Sequence, residues 1–268
     1  MTIGGIPRSI LTRAALIMCA TLATSCAPAP EGQPFADDSG PAVDIGLPDE
    51  TSPEGFDQDT EENILRAERE IAESFADADS EINEDEAAQI MADSYSHLDP
   101  KRLIRPGLLK TAVAYFDRNK SKFSNRSYIT LVDFQKKSSS ARFFVVNMKS
   151  GSVASYFVAH GKGSDPNNDA FPEKFSNKEG SGASSLGPVR VAETYSGKYG
   201  RSVRIDGLSS SNSNMRRRAV VIHGSNYVKN ANVKQGRSEG CFAIPMNQKD
   251  SIISLIKGGS FLYADQVR

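Results

Sequence analysis

Cysteine and histidine are scarce in this chain, with three of each among 268 residues. The histidines, His97, His160 and His223, are scattered, and Cys241 has no second cysteine near it in sequence. That distribution offers no metal-binding set, so neither a metal nor another cofactor is expected. Residues 14–23 form an apolar run that is too short to span a bilayer. No internal repeat is visible.

The N-terminus reads as an export signal. Arg8 and Arg13 are the only charges in residues 1–26, and the short apolar run follows them. The run ends in Leu22-Ala-Thr-Ser-Cys26, which resembles a bacterial lipobox with Ala23 where leucine is preferred. Cys26 is therefore the expected lipidation site. Plain secretion is the alternative, disfavoured by the prolines of Ala27-Pro-Ala-Pro30. Cys19 leaves with the signal, so Cys241 is left as the thiol of the mature domain. Exported proteins pair most cysteines. A single one is either buried and inert or kept for its reactivity.

Charge divides the chain. Residues 27–100 hold 22 acidic and two basic residues, a balance of −20, whereas residues 101–268 hold 28 basic and 11 acidic, a balance of +17. A basic domain suits anionic partners. Nucleic acid is not expected for an exported chain; cell-wall polymer or lipid headgroups are the expected partners, and a merely solvated surface is the alternative. Residues 27–60 are rich in Pro, Gly, Asp and Glu and poor in large apolar residues. Such a composition predicts a disordered tether.

Residues 61–125 read as a helical region. Thr60 is the expected cap of a helix carrying Ile64, Leu65, Ile71 and Phe75. Asn83 with Glu86 has the spacing of a capping box. A third helix from Pro106 places Leu109, Val113 and Phe116 on one face. From residue 126 to 268 the pattern turns to alternating, β-branched and aromatic runs. Strands are expected near 128–134, 141–148, 153–160, 187–195, 202–205, 219–223 and 260–264, with one helix at 247–257 capped by Asn247. The fold class is mainly β, one sandwich- or barrel-like core with small helices. Long polar loops fall at 161–187 and 208–218, and loops of that length are commonly functional.

The chemistry concentrates in residues 219–245. Ala219-Val-Val-Ile-His223 is an apolar strand running into a histidine, and after a polar loop comes Gly236-Arg-Ser238-Glu-Gly240-Cys241. A thiol with a pKa of roughly 8.5 is mostly protonated at neutral pH, and a nearby base makes it the reactive thiolate. His223 is the expected base and His160 the competing candidate. Gly240 permits a tight turn in which its N–H and that of Cys241 point at a developing oxyanion. These residues point to an exported cysteine enzyme of acyl transfer or hydrolysis. The alternative is a small buried thiol and a hydrogen-bonded strand-end histidine.

Residues 141–265 also resemble the catalytic domain of the murein L,D-transpeptidases, the YkuD-like group. The resemblance rests on His160-Gly-Lys, Phe175-Ser-Asn177, Ser184-Ser-Leu-Gly187, Val221-Ile-His223-Gly and Ser238-Glu-Gly240-Cys241. It departs downstream, where Phe242-Ala-Ile-Pro245 replaces the polar residue and arginine of many members. The resemblance implies a mixed β-sandwich or barrel in which Cys241 is the nucleophile, His223 the base and Gly240 part of the turn. Arg237, Ser238, His160, Asn177 and Ser185 are the expected substrate-binding residues. The implied activity is acyl transfer on peptidoglycan stem peptides; with the lipobox-like N-terminus, a monomer anchored through Cys26 in the cell envelope is expected. Two alternatives stay open: an L,D-carboxypeptidase on the same peptides, and a non-catalytic peptidoglycan-binding lipoprotein.

Overall fold

The computed structural model describes residues 58–75 and 83–266. The export signal, Cys26 and nearly all of the acidic tether lie outside the described residues.

Helices come first. α1 (Gln58–Ser74) starts two residues before the expected cap at Thr60. Its Ile71 and the following Phe75 are buried, whereas Leu65 is exposed. Asn83 caps α2 (Glu84–Ser94), its Oδ1 accepting the Glu86 N–H at 2.8 Å. The Glu86 carboxylate turns instead to Arg118 near the end of α3 (Pro106–Asn119), tying the two helices together. Pro106 opens α3 where its missing N–H costs no helical bond. Leu108, Leu109, Ala112, Val113 and Phe116 form its buried face.

Eight strands follow among the described residues: β1 (Tyr128–Asp133), β2 (Phe143–Asn147), β3 (Val153–Tyr156), β4 (Gly187–Gly197), β5 (Gly200–Gly207), β6 (Val221–Ser225), β7 (Phe242–Pro245) and β8 (Ser260–Asp265). They form one sheet in the order β3-β2-β1-β8-β4-β5-β6-β7. The β1–β8 and β6–β7 pairs are parallel; the others are antiparallel. The chain leaving β3 runs back to the far edge. There Ala159 N–H donates to the Ala243 carbonyl of β7 at 2.9 Å, and Gly161 bridges to Ser238. The sheet is nearly closed into a barrel, and the chain is mainly β with a few small helices.

Alternation along the strands divides their apolar residues between two cores. Val132, Phe143, Val145, Leu262 and Ala264 face an inner core shared with Ile205, Ile222, Phe242 and α4 (Lys249–Ile256). Ile129, Leu131, Phe144, Val146 and Phe261 face an outer core shared with α3, Phe75 and Phe123. The helical region thus packs on β1, β2 and β8. Two sequence expectations differ in detail. Gln248, not Asn247, sits at the α4 N-cap and makes no side-chain cap bond. Residues 242–245, read only as a motif, are a strand, because their apolar side chains are buried beside β6.

Phe261 sits at the centre of the outer core, with ring centroids 5.2 Å from Phe123, 5.4 Å from Tyr115 and 6.1 Å from Phe116. Phe261→Ala is expected to cost ~3–5 kcal/mol in urea unfolding, as large-to-small changes in closed cores do. A loss below ~1 kcal/mol would show that the helices do not seal this face.

Candidate active site

Strand β6 brings His223 into the sheet, and β7 begins immediately after Cys241. Ile222 pairs with Phe242 and His223 with Ala243, both in parallel register. Extended back by one residue, that register sets Cys241 level with Val221, on the same side as His223. Ile222, Phe242 and Ile244 turn the other way, into the inner core.

Cys241 is half-buried and is not in a disulfide. Its Sγ lies 3.8 Å from the Ala219 carbonyl, a weak S–H contact. Ala219 has φ +53, a left-handed conformation that costs an alanine energy and recurs at functional sites. His223 is 2% exposed. Its Nδ1 lies 3.1 Å from the Gly224 carbonyl, which only accepts, so the neutral ring carries its proton on Nδ1. Nε2 is then the basic nitrogen. Tyr199, in the two-residue turn between β4 and β5, stacks on the imidazole with centroids 4.2 Å apart.

The turn before Cys241 is held from two sides. Ser238 Oγ accepts the Gly240 N–H at 3.1 Å and donates to the Cys241 carbonyl at 2.7 Å. This corrects one expectation: the Gly240 N–H is spent on Ser238 and does not point into an oxyanion site. Gly240 is required for another reason. Its φ is +121, and a Cβ there would stand 2.8 Å from the Ala183 carbonyl. Ser184 joins both walls, accepting from the Gly161 N–H at 3.0 Å and donating to the Gly240 carbonyl at 3.3 Å.

The side chains expected to touch substrate are mostly occupied within the protein. His160 is fully buried. Arg142 Nη2 lies 2.8 Å from its Nδ1, and Asp165 Oδ2 lies 3.1 Å from its Nε2. An arginine only donates, so Nδ1 accepts and the Nε2–H donates to the carboxylate. Both ring nitrogens of His160 are thus engaged inside the protein. Burial, then the adjacent Arg142 charge, pull its pKa down to about 4. Ser185 is buried and donates to the Ser176 carbonyl at 2.8 Å. Asn177 Nδ2 reaches Ser210 and Ser213, and its Oδ1 accepts the Asn214 N–H at 2.9 Å. Arg237 is half-buried and donates to the Asp165 carbonyl.

Tyr195 is an ionisable neighbour of the thiol. The Tyr195 phenol is pushed up by its burial and then by the neighbouring Cys241, and the Arg204 guanidinium lies 4.7 Å from its ring centroid. Glu239 pairs with Lys162 at 2.5 Å across the same turn. Behind Tyr195, Arg216 holds Glu193 down to about 2, chiefly by its hydrogen bonds at 2.7 and 3.0 Å.

A family model for the L,D-transpeptidase catalytic domain matches residues 101–264, more than half of the chain and the whole of this site. The chain belongs to the L,D-transpeptidase catalytic-domain family. The match begins ahead of α3, so the family unit includes the helix that seals the outer core. Solved structures resemble the chain more distantly. An L,D-transpeptidase from Xylanimonas cellulosilytica is 12% identical, with 53% of this chain and 62% of that one covered and a TM-score of 0.32. An L,D-transpeptidase from Mycobacterium smegmatis is 11% identical over 52% and 58%, with a TM-score of 0.33. L,D-transpeptidase 1 of Mycobacterium tuberculosis is 12% identical over 52% and 61%, with a TM-score of 0.28. The chain spans about three-fifths of the length of these structures. No curated protein matches it.

Sequence reasoning missed Arg142, Asp165, Ser184, Tyr199 and Arg218. Ser184 lay in a quoted motif, but nothing distinguished it from its neighbour Ser185. Asp165 had a faint signal five residues after His160. Arg142, Tyr199 and Arg218, whose Nη2 donates to the Ala183 carbonyl beside Gly240, lie in unrelated segments, and only the fold brings them here.

The His160 environment carries a pH prediction. Its folded pKa lies below the ~6.5 of a free histidine. Between those values the unfolded chain binds a proton that the folded chain does not, so acid destabilises the fold. This contribution to stability is intact above ~6.5 and declines as pH falls to about 4. Thermal unfolding of wild type and His160→Gln across this window should show a steeper acid loss in the wild type. Equal slopes would contradict the buried neutral imidazole.

Proposed function

We propose that the chain is a cysteine-dependent peptidoglycan L,D-transpeptidase. The observation that carries this reading is the half-buried Cys241 at the start of a strand paired in parallel with the one bearing His223. The His223 Nδ1 proton is committed to Gly224, which leaves Nε2 as the base. Family membership supplies the substrate class. His223 Nε2 takes the Sγ proton, and the thiolate attacks the carbonyl of the L-centre of the diamino acid at the third stem position. The tetrahedral intermediate collapses to a thioester, and D-alanine leaves as an amine protonated by His223. An amine of a neighbouring stem then attacks the thioester, passes its proton to His223 and releases the Cys241 thiolate. The Cys241 N–H is then the backbone donor offered to the developing oxyanion, since the Gly240 N–H is bonded to Ser238.

The remaining organisation belongs to the same reading. Residues 1–26 direct export, Cys26 anchors a monomer by lipid in the cell envelope, and residues 27–60 space the domain from the membrane. The expected partner is a stem peptide, with no cofactor.

Incubation with tetrapeptide muropeptides should yield D-alanine and a cross-linked product of the corresponding mass. Cys241→Ala should abolish it with unchanged thermal unfolding, and His223→Gln should lower the rate by ~10²-fold or more. Hydrolysed tripeptide as the sole product would assign water as the acceptor instead. Activity retained by Cys241→Ala would overturn the nucleophile.

The mature N-terminus offers a separate check. Expressed in a bacterial host, the chain should begin at Cys26 with a mass increased by lipid. A soluble form starting elsewhere would remove the anchor from the proposal.

A further inference from the structure

Arg218 stands at the end of the 208–218 loop, one residue before Ala219, whose carbonyl touches Cys241 Sγ. Its guanidinium reaches over the turn before the nucleophile. Nη2 would lie 3.3 Å from a Cβ on Gly240. Nη1 donates to the Ser176 carbonyl and Ser185 Oγ, each at 2.7 Å. Nη2 donates to the Ala183 carbonyl at 2.5 Å and to Ser181 Oγ at 3.2 Å. Four of the five N–H donors of the guanidinium are thus spent on segment 176–185.

All four acceptors are neutral. Elsewhere, Arg105, Arg190, Arg204 and Arg216 each have a carboxylate within ion-pair distance. Arg142, which also bonds neutral groups, has Asp133 and Asp165 as nearby counter-charges. For Arg218, among the described residues, no carboxylate lies within 4.0 Å. A half-buried cation without an anion is costly, and its donors are too committed to grip a substrate carboxylate. An anion that forms during the reaction would repay the cost.

We infer that Arg218 is a positioning residue whose fixed charge is the counter-ion of the Cys241 thiolate and whose hydrogen bonds brace the wall beside it. This inference rests on the reading of Cys241 as the nucleophile. Burial pulls the Arg218 pKa down, and the groups that oppose the pull are Cys241 first and Glu179 second. Glu179 is exposed and beyond ion-pair distance. Other groups near the site already have partners. Lys162 holds Glu239, Arg204 faces Glu193 and the Tyr195 ring, and Tyr199 covers His223.

The test is the pH dependence of iodoacetamide alkylation at Cys241 in the full-length chain, read by mass spectrometry of the peptide that contains it. In the wild type the rate should rise with an inflection below the ~8.5 of a free thiol. Arg218→Met should raise that inflection by about one pH unit or more, the effect of removing a close opposite charge. Arg218→Lys should shift it less. An unshifted inflection in folded Arg218→Met overturns the inference, and so do equal shifts in the two variants, which would make the arginine a brace alone. A wild-type inflection at the free-thiol value would instead sink the nucleophile reading itself.

A second arm does not depend on a folded variant. In the wild type at low salt, an anionic methanethiosulfonate should modify Cys241 about tenfold faster than a cationic one, each normalised to a small free thiol. The ratio should shrink as salt rises. A cationic reagent that reacts as fast or faster overturns the inference even if Arg218→Met fails to fold.

Discussion

The parallel pairing of β6 and β7 is the constraint on which the site depends. Parallel neighbours cannot be joined by a tight turn; they need a long crossover. Here residues 226–241 make it without a helix. The crossover is held by its own polar atoms: Gly236 N–H donates to the Tyr227 carbonyl at 2.9 Å, and Gln235 Oε1 accepts the Lys229 N–H at 2.6 Å. Its return is fixed when Ser238 N–H donates to the His160 carbonyl and Lys162 N–H to the Ser238 carbonyl. The resulting register puts Phe242 and Ile244 in the core and leaves Cys241 at the surface. A slip of one residue would exchange those faces, which burial of Phe242 forbids.

The walls of the cleft follow from the same demand for satisfied polar groups. Segment 160–187 carries little regular structure, so its buried N–H and carbonyl groups need partners from side chains. Serines supply them. Ser164, Ser184 and Ser185 are all buried and hydrogen-bonded. Beneath them the Arg142–His160–Asp165 chain is fully buried, with the arginine also donating to the Val158 carbonyl. Removing one member would strand the others, because a buried polar group without a partner is costly. Residues named from the sequence as substrate contacts thus also hold the frame of the cleft together.

Rigidity reaches the site from behind as well. β1, β2 and β8 are apolar on both faces, and α3 covers the outer one. Two-sided burial is the usual condition of strands flanked by helices on one face and a core on the other. β8 lies between β1 and β4, so the helical region and the strands that lead to β5 and β6 share a continuous sheet. The helices thereby support a framework whose far edge carries Cys241.

The sequence alone determined whatever depends on local pattern. Alternation over Tyr128 to Phe134 marked a strand, the Asn83–Glu86 spacing marked a helix start, and the histidine strand with its Gly-Cys turn marked the chemistry, since each signal lies within a few residues. The resemblance in motif order extended this to the family. Tertiary structure alone decided which polar side chains face the cleft. His160 and Ser185 look like site residues in one dimension, but their environment comes from segments up to tens of residues away, and that environment buries them. Arg218 and Tyr199 are unremarkable in one dimension and come beside Cys241 and His223 only through the crossover and the β4–β5 turn. Hydrogen-bond satisfaction and burial are properties of the whole packed chain, so no local pattern encodes them.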